Sequence, residues 1–327
     1  MKMRADLSDS RGSTSVHPTA LLLAEEIGKG VHVAAFAQVM SGARLGDGVD
    51  IGSHVVVESD VVLGRSVRIG AGVYICNGFR ADDDVQVGPG VAFAEHGLAA
   101  KSDSAVTHLK HGAIVGANAT LTRGVSVGAR SVIAAGSVVT RDVPPNAIVD
   151  GNPARIVGYV DTFNVGMGAQ NTPTGAIATT GELPRLRAGN ARLVRLPRIV
   201  DLRGALSFGE IGAHLPFHPK RFFTIYDVPG KEVRGEHAHR ALEQFLICLK
   251  GSCAVVIDDG YERDEVVLAS PEVGLYIPPM VWGIQYQYSS DAVMLVLASD
   301  VYSASDYIRN YEEFLAIARR RVSSPRD

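Results

Sequence analysis

A spacing of six residues dominates the first half of the chain. From Ile27 every sixth residue through Phe93 is a small aliphatic, except Ala81 and Phe93 itself, and the spacing resumes from Val115 to Val139. Neither a helix period of 3.6 nor strand alternation produces such a series. The series therefore predicts a solenoid of short strands, with one aliphatic per side on a narrow axis. Glycines often follow these aliphatics, where we expect turns.

Aromatic residues divide the chain into two parts. Five lie in residues 1–160 and sixteen in residues 161–327, as expected if a narrow solenoid core excludes large rings. Between the two parts lies a stretch rich in Gly, Thr, Ala and Pro without periodicity, which is typical of a linker. We predict a polar extension over 1–20, a solenoid over 21–160, a linker over 161–195 and a second domain over 196–327.

The second part has short apolar runs separated by turn residues, which predicts an all-β barrel or sandwich. The run EQFLICL carries apolar side chains on both faces, so it should be a central strand covered on both sides. The segment SASDYIRNYEEFLAIARRRV predicts a closing helix with Ile308, Tyr311, Leu315 and Ala318 on one face. We interpret that helix as a packing element only.

Composition excludes several classes of protein. The formal net charge of −3 offers no basic field for nucleic acid, and any anionic partner must be held by local arginines. The three cysteines are scattered and favour neither disulfides nor zinc. No segment reads as a signal peptide or a membrane span, so we expect a cytoplasmic protein that binds neither membrane nor nucleic acid.

The end of the solenoid carries a specific motif, VIAAGSVVTRDVPPNAIVDGNPARIVGY, over residues 132–159. This segment and the repeat resemble the hexapeptide-repeat acyltransferases, whose left-handed parallel β-helix stacks three hexads per coil. The resemblance implies a trimer that uses acetyl-CoA, with backbone contacts at Gly116 and Ala134. Arg141 and Arg155 are candidates to hold phosphates, because a guanidinium can bond two phosphate oxygens at once. Solvated surface charge is their alternative interpretation.

Acyl transfer to an amine needs a group that accepts the amine's proton, and histidine is the natural candidate. His96 follows Glu95 where the repeat stops. Related enzymes acting on aminosugar nucleotides often read FTND here, whereas this chain reads FAEH. Three interpretations stay open: Glu95 and His96 form a carboxylate–imidazole pair, the acyl acceptor differs, or this half has lost its activity.

In the second half, the stretch RGEHAHRALEQ places two histidines two residues apart, on one face of a predicted strand. Small barrels called cupins hold a metal with His-x-His, a following Glu and a later His. His237, His239 and Glu243 match the first part, but no histidine follows His239. Two histidines and a carboxylate can bind some metals, yet we expect acid–base chemistry without a metal.

The segments containing these histidines resemble the WxcM-like, FdtA-like sugar 3,4-ketoisomerases, over about residues 196–318. The resemblance implies a metal-free cupin dimer that moves a carbonyl from C4 to C3 of dTDP-4-keto-6-deoxyglucose. It assigns His237 and His239 to proton transfer, and which of them is the base stays open. Arg234 could bind phosphate or an enediolate, provided that a bulge at Gly235 turns it toward the histidines.

Two weaker candidates complete the predicted site: Tyr226 for a hydroxyl contact, and Trp282 for stacking or core filling. Together the resemblances predict a bifunctional enzyme that isomerises the ketosugar and, after amination by another enzyme, N-acylates a dTDP-3-amino-3,6-dideoxyhexose for surface polysaccharide such as O-antigen. A trimer-forming half and a dimer-forming half could build a hexamer. The alternatives are an isomerase with the β-helix as scaffold, and a non-catalytic sugar-nucleotide sensor.

Overall fold

A computed structural model describes residues 14–94, 106–164, 183–229 and 232–323. The chain divides into two compact units, Met1–Val160 and Asp161–Asp327. Both are built almost entirely of strands, so the predicted all-β class is confirmed: a β-solenoid, then a cupin-like barrel with one C-terminal helix. Within the described residues, the helix is neither long nor apolar enough to cross a bilayer.

The first unit is a stack of very short strands joined by turns. In chain order these are β1 (Ser15–Val16), β2 (Leu21–Leu22), β3 (Glu26–Ile27), β4 (His32–Val33), β5 (Gln38–Val39), β6 (Arg44–Leu45), β7 (Asp50–Ile51), β8 (Val56–Val57), β9 (Val61–Leu63), β10 (Arg68–Ile69), β11 (Tyr74–Ile75), β12 (Phe79–Ala81), β13 (Gln86–Val87), β14 (Ala92–Ala94), β15 (Thr107–Leu109), β16 (Ile114–Val115), β17 (Thr120–Thr122), β18 (Ser126–Val127), β19 (Val132–Ile133), β20 (Val138–Val139), β21 (Ala147–Gly151) and β22 (Ala154–Tyr159).

These strands pair in parallel, coil upon coil. Asp50 pairs with Arg68, and Arg68 with Gln86, so one coil takes 18 residues, which is three hexads. Gln86 pairs with Ile114, 28 residues later, so this coil contains ten residues more than the two before it. The antiparallel pair β21 and β22 ends the longest sheet, β1-β4-β7-β10-β13-β16-β19-β21-β22.

The six-residue series lies in the core as predicted, and a second series accompanies it. Val33, Ile51 and Ile69 are buried, and so are the residues two positions earlier, such as Val31 and Val49. The expectation of one inward side chain per side was therefore wrong. Each side contributes two, because a strand and the turn before it both face the axis.

The glycines that follow the inward aliphatics allow neighbouring coils to stack closely. The expectation that these glycines form the turns was therefore wrong. A Cβ added at Gly52 would lie 2.8 Å from the nitrogen of Ala71 in the next coil, closer than side chains come to backbone. The left-handed conformation falls two residues later, at His54 with φ 59° and at Gly72 with φ 72°. The turns therefore do not depend on glycine alone.

The second unit contains longer, mostly antiparallel strands. They are β23 (Phe163–Asn164), β24 (Arg192–Arg195), β25 (Arg198–Asp201), β26 (Gly204–Ser207), β27 (Arg221–Tyr226), β28 (Arg234–His239), β29 (Gln244–Lys250), β30 (Cys253–Asp258), β31 (Arg263–Leu268), β32 (Val273–Ile277), β33 (Trp282–Tyr286), β34 (Val293–Ala298) and β35 (Tyr307–Ile308), followed by helix α1 (Tyr311–Ser323).

Two sheets enclose the core of this unit. Their orders are β23-β31-β30-β33-β28-β35 and β24-β32-β29-β34-β27. The apolar residues of EQFLICL lie in β29, which is between β32 and β34 in its sheet. Phe245 and Leu246 are fully buried there, so the prediction of a central strand is confirmed. Strands β25 and β26 form a separate hairpin.

Two sequence boundaries need correction. Leu186, Ala188 and Leu193 pack in the core of the second unit, so this unit begins before the boundary predicted at residue 196. Residues 165–182 of the predicted linker lie outside the described residues. The closing helix begins only at Tyr311, because Ile308 belongs to β35, which pairs with β28. That preceding segment is more than a packing element, since it borders the cavity described next.

Candidate active site

A cavity of about 330 Å³ opens in the second unit between the two sheets. It is lined by Phe223, Thr224, Ile225, Tyr226, Arg234, Gly235, His237, Gln244, Gln285 and Tyr307. Polar side chains therefore converge on a partly apolar wall, which is typical of small-molecule sites.

A β-bulge in β28 brings Arg234 to this cavity. The pairing of β28 with β33 shifts register between Gly235 and His237, and Gly235 and Glu236 both have positive φ, 83° and 51°. A Cβ on Gly235 would lie 2.6 Å from the carbonyl oxygen of Gly283, so only glycine fits there. Strict alternation would turn Arg234 away from His237. The bulge that the predicted role of Arg234 requires is therefore present, and Arg234 lines the cavity with His237.

The two histidines lie on one side of β28, as their spacing predicts. Their ring centroids are 4.9 Å apart, and the ring of Tyr307 packs 4.8 Å from His237 and 4.4 Å from His239. The guanidinium of Arg309 lies 4.3 Å from the Tyr307 centroid. These contacts restrict the rotation of both imidazoles.

His237 faces the cavity as a neutral imidazole. Its Nδ1 lies 2.8 Å from the carbonyl oxygen of Gly235, which can only accept, so Nδ1 carries the proton. Burial lowers the pKa of His237, opposed by the Gly235 carbonyl and assisted by the positive charge of Arg309. The Nε2 lone pair is therefore available to accept a proton.

His239 is more deeply buried, with 4% of its surface exposed, and is not among the residues that line the cavity. Its Nδ1 donates to Oδ2 of Asp306 at 2.8 Å, and the amide Nε2 of Gln244 lies 3.3 Å from its Nε2. Burial lowers its pKa to about 4, helped by His237 and opposed by Asp306. Both ring nitrogens of His239 are thus engaged by side chains of the protein.

Three other predicted residues lie in different surroundings. Tyr226 is at the mouth of the cavity and is 59% exposed. Trp282 is not among the residues that line the cavity. It is buried, with its ring centroid 5.2 Å from that of Tyr311 and 5.5 Å from that of Phe314, and of its two predicted roles this position favours core filling. The Glu243 Oε1 accepts from the Tyr276 hydroxyl at 2.5 Å.

The described part of the chain contains no cluster of side chains arranged to bind a metal ion. No group of three or more His, Cys, Asp or Glu side chains there has a suitable arrangement. Glu243, the third residue of the His-x-His pattern, is instead held by a tyrosine hydroxyl.

Sequence reasoning missed Gln244, Gln285, Asp306 and Tyr307. The two glutamines lie among apolar residues in strands, and the sequence pattern does not show that such an amide is buried at a cavity. Asp306 and Tyr307 lie within SASDYIRNY, which was interpreted as helical packing. They reach the site because β35 pairs with β28, with Tyr307 opposite His239.

The candidate residues of the first unit are partly described. Glu95 and His96 lie outside the described residues. The N–H groups of Gly116 and Ala134 donate to Ile133 and Val149 in neighbouring coils, and their carbonyl oxygens accept from the N–H groups of Ala119 and Ser137, both at 3.3 Å. Arg141 is exposed. The Nε of Arg155 is buried and makes no hydrogen bond to any described residue.

Both units match known protein families. Residues 189–319 match the family described as "WxcM-like, C-terminal". Residues 26–59 match "Bacterial transferase hexapeptide (six repeats)", and residues 111–141 match "Hexapeptide repeat of succinyl-transferase".

Two curated relatives match different parts of the chain. A TDP-4-oxo-6-deoxy-α-D-glucose-3,4-oxoisomerase of Aneurinibacillus thermoaerophilus is 49% identical over 123 residues, 38% of this chain and 88% of the relative. A dTDP-3-amino-3,6-dideoxy-α-D-galactopyranose 3-N-acetyltransferase of that organism is 52% identical over 54 residues, 16% of this chain and only 28% of the relative.

Among solved structures, a sugar 3,4-ketoisomerase from Thermoanaerobacterium thermosaccharolyticum in complex with TDP is 39% identical, covers 40% of this chain and 96% of its own, and has a TM-score of 0.40. The identity to the oxoisomerase over most of that relative's length, with the family match, decides the assignment. Through its second unit, the chain belongs to the WxcM-like family of sugar 3,4-ketoisomerases.

Proposed function

We propose that the second unit isomerises dTDP-4-keto-6-deoxyglucose to the corresponding 3-keto sugar. The observation that carries this proposal is that His237, a neutral imidazole with its proton on Nδ1, lines a cavity together with Arg234. The named activity of the 49% identical relative supports the choice of substrate.

The chemistry requires one proton to leave C3 and one to arrive at C4. His237 Nε2 takes the C3 proton, which is acidic because C3 is next to the C4 ketone, and the electron pair moves to form the enediolate. The resulting imidazolium then delivers a proton to C4, while the proton of the C3 hydroxyl passes to the negative oxygen on C4, so that C3 becomes the ketone and C4 carries the hydroxyl. Arg234 stabilises the negative oxygen of the enediolate electrostatically.

The C3 proton gives a direct test of this mechanism. Proton NMR of dTDP-4-keto-6-deoxyglucose in D₂O with the wild-type chain should show loss of the C3 proton signal and formation of a 3-keto product that carries deuterium at C4. His237→Asn should lower the exchange rate by about 10² to 10⁴-fold, the usual contribution of a positioned base. His218→Asn, which changes an exposed histidine outside the cavity, should exchange normally.

The alternatives give different results in the same experiment. A ligand that binds without C3 exchange would favour a sugar-nucleotide sensor. An equal rate in His237→Asn and wild type would remove His237 from the reaction.

For the first unit, the proposed function is acyl-CoA-dependent N-acylation of a dTDP-3-amino-3,6-dideoxyhexose. The hexapeptide matches and the 54-residue segment similar to the 3-N-acetyltransferase support it. The two activities would be the first and third steps of one route, with amination at C3 supplied by another enzyme. A trimer through the solenoid and a dimer through the barrel are part of this proposal.

Calorimetry with coenzyme A separates this function from a scaffold. We expect binding by the full chain, weakened in Arg155→Gln because that variant lacks one cationic partner for phosphate. Acetyl transfer to the aminosugar should then be lost in His96→Asn, with His17→Asn as the matched control. Absence of coenzyme A binding would favour an isomerase whose solenoid is a scaffold.

A further inference from the structure

Two glutamine amides border the cavity from different strands, Gln244 on β29 and Gln285 on β33, and each is 9% exposed. A primary amide has a carbonyl that accepts and an NH₂ that donates. Which end faces a ligand is therefore decided by the bonds that each amide makes with the protein.

The orientation of Gln244 follows from a chain of hydrogen bonds that begins at Asp306. The carboxylate of Asp306 only accepts: Oδ1 from the backbone N–H of Ala241 and Oδ2 from His239 Nδ1, both at 2.8 Å. Because buried His239 is neutral and its proton is on Nδ1, its Nε2 must accept. The NH₂ of Gln244, 3.3 Å away, is the donor. The carbonyl oxygen Oε1 of Gln244 is then left for the cavity.

In Gln285 the carbonyl oxygen, and not the NH₂ group, is bonded to the protein. Its Oε1 accepts from the Tyr288 hydroxyl at 2.8 Å. Burial raises the pKa of Tyr288, so the hydroxyl keeps the proton that it donates. Gln285 therefore offers NH₂ to the cavity where Gln244 offers a carbonyl oxygen.

The reaction interconverts a donor and an acceptor on adjacent carbons. In the 4-keto substrate the C3 oxygen is a hydroxyl that can donate, while the C4 oxygen can only accept. Gln244 is the amide bonded to His239, whose ring is 4.9 Å from the ring of His237, and Gln244 and His237 line the same cavity. The C3 hydroxyl is attached to the carbon that His237 deprotonates.

We propose that Gln244, oriented by Asp306 and His239, accepts a hydrogen bond from the C3 hydroxyl and so selects nucleotide-linked 4-ketohexoses with a free hydroxyl at C3. This inference rests on the proposed isomerase function and adds a specificity-determining residue to it. A ligand without that hydroxyl leaves a buried acceptor unpaired, which typically weakens binding by about 10 to 100-fold.

To measure binding without turnover, both the chain with the wild-type Gln244 and the Gln244→Met variant also carry His237→Asn. Calorimetry with dTDP-4-keto-6-deoxyglucose and its 3-deoxy analogue should show about 10 to 100-fold weaker binding of the analogue to the chain with Gln244. In Gln244→Met, which is similar in length but has no acceptor, the two ligands should bind with nearly equal affinity. The 2-deoxy analogue is the control, because its loss of affinity should be the same in both proteins.

Nitrogen NMR of labelled histidine tests the orientation in the wild-type chain. We expect His239 to be neutral with its proton on Nδ1 at pH 7. In Gln244→Glu, a carboxylate next to Nε2 should favour imidazolium instead. This measurement and the wild-type comparison remain informative if Gln244→Met fails to fold.

Two results would overturn the inference: equal discrimination against the 3-deoxy ligand in wild type and Gln244→Met, or a proton on Nε2 of wild-type His239. Failure of the proposed function looks different, because it appears as bound ketosugar without C3 exchange. Exchange in D₂O is therefore recorded separately on wild type and Gln244→Met with His237 intact.

Discussion

The solenoid and the barrel differ in how far along the chain their contacts reach. In the solenoid, Asp50 pairs with Arg68, 18 residues later, and the same step recurs along the stack. In the barrel, the carboxylate that holds His239 belongs to Asp306, 67 residues away, and Arg234 pairs with Gln285. A repeated short contact leaves a period in the sequence, whereas a single distant contact leaves none.

Backbone strain is distributed differently too. Left-handed residues recur through the solenoid turns, for example at His54, Ser66 and Asn118, where they serve the geometry of each coil. In the barrel, the adjacent pair Gly235 and Glu236 forms one bulge next to the proposed base. The same kind of conformation is structural where it repeats and functional where it occurs beside the cavity.

The largest effect is expected where the coils stack. Gly52→Val would place side-chain carbons against the backbone of residues 69–71, where a Cβ alone lies 2.8 Å from two backbone atoms. Neither backbone can move without disturbing the stack, so we expect a loss of more than about 4 kcal/mol in the free energy of unfolding of the solenoid. Urea unfolding followed by far-ultraviolet circular dichroism measures it.

Two glycines provide controls for this substitution. Gly72→Ala has open space around the added Cβ and should cost only about 1 to 2 kcal/mol, from its φ of 72°. In the barrel, a Cβ on Gly283 meets only the Ile277 Cδ1, at 3.8 Å, so Gly283→Ala should cost less than about 1 kcal/mol. Similar losses in all three variants would contradict the stacking role of Gly52.

How much the sequence predicts depends on the same difference in contact range. The period of six predicts the solenoid and its buried aliphatics, and alternation predicts the central strand β29. It also predicts the shared face of His237 and His239 and the need for a bulge at Gly235. It misses Asp306 and Tyr307 because only the pairing of β35 with β28 brings them to the histidines.

The next effect concerns pH and the buried histidines of the barrel. The pKa of His239 is about 4 in the folded chain, below the ordinary value of 6.5, so the unfolded chain binds the proton more readily. This contribution to stability is complete above about pH 6.5 and is lost as the pH falls toward 4, by on the order of 3 kcal/mol. His237, whose pKa is also lowered, acts in the same direction.

Trp282 allows this loss to be measured in the barrel alone, because the chain has one tryptophan and it is buried there. Urea unfolding followed by its fluorescence between pH 7.5 and 4.5 should show falling stability. His239→Gln, which cannot take up the proton, should show a shallower dependence. Constant or rising stability of wild type toward pH 4.5 would contradict the buried neutral imidazole.

The smallest effect is expected at Trp282, and it separates core packing from substrate contact. Trp282→Phe keeps an aromatic ring between Tyr311 and Phe314 but removes part of their contact, so we expect thermal unfolding to show a loss of about 1 to 2 kcal/mol. Because the side chain does not line the cavity, the C3 exchange rate should change by less than about threefold. A tenfold slower exchange with unchanged stability would instead indicate that Trp282 contacts the substrate. A residue buried in the barrel core would then also contribute to the reaction.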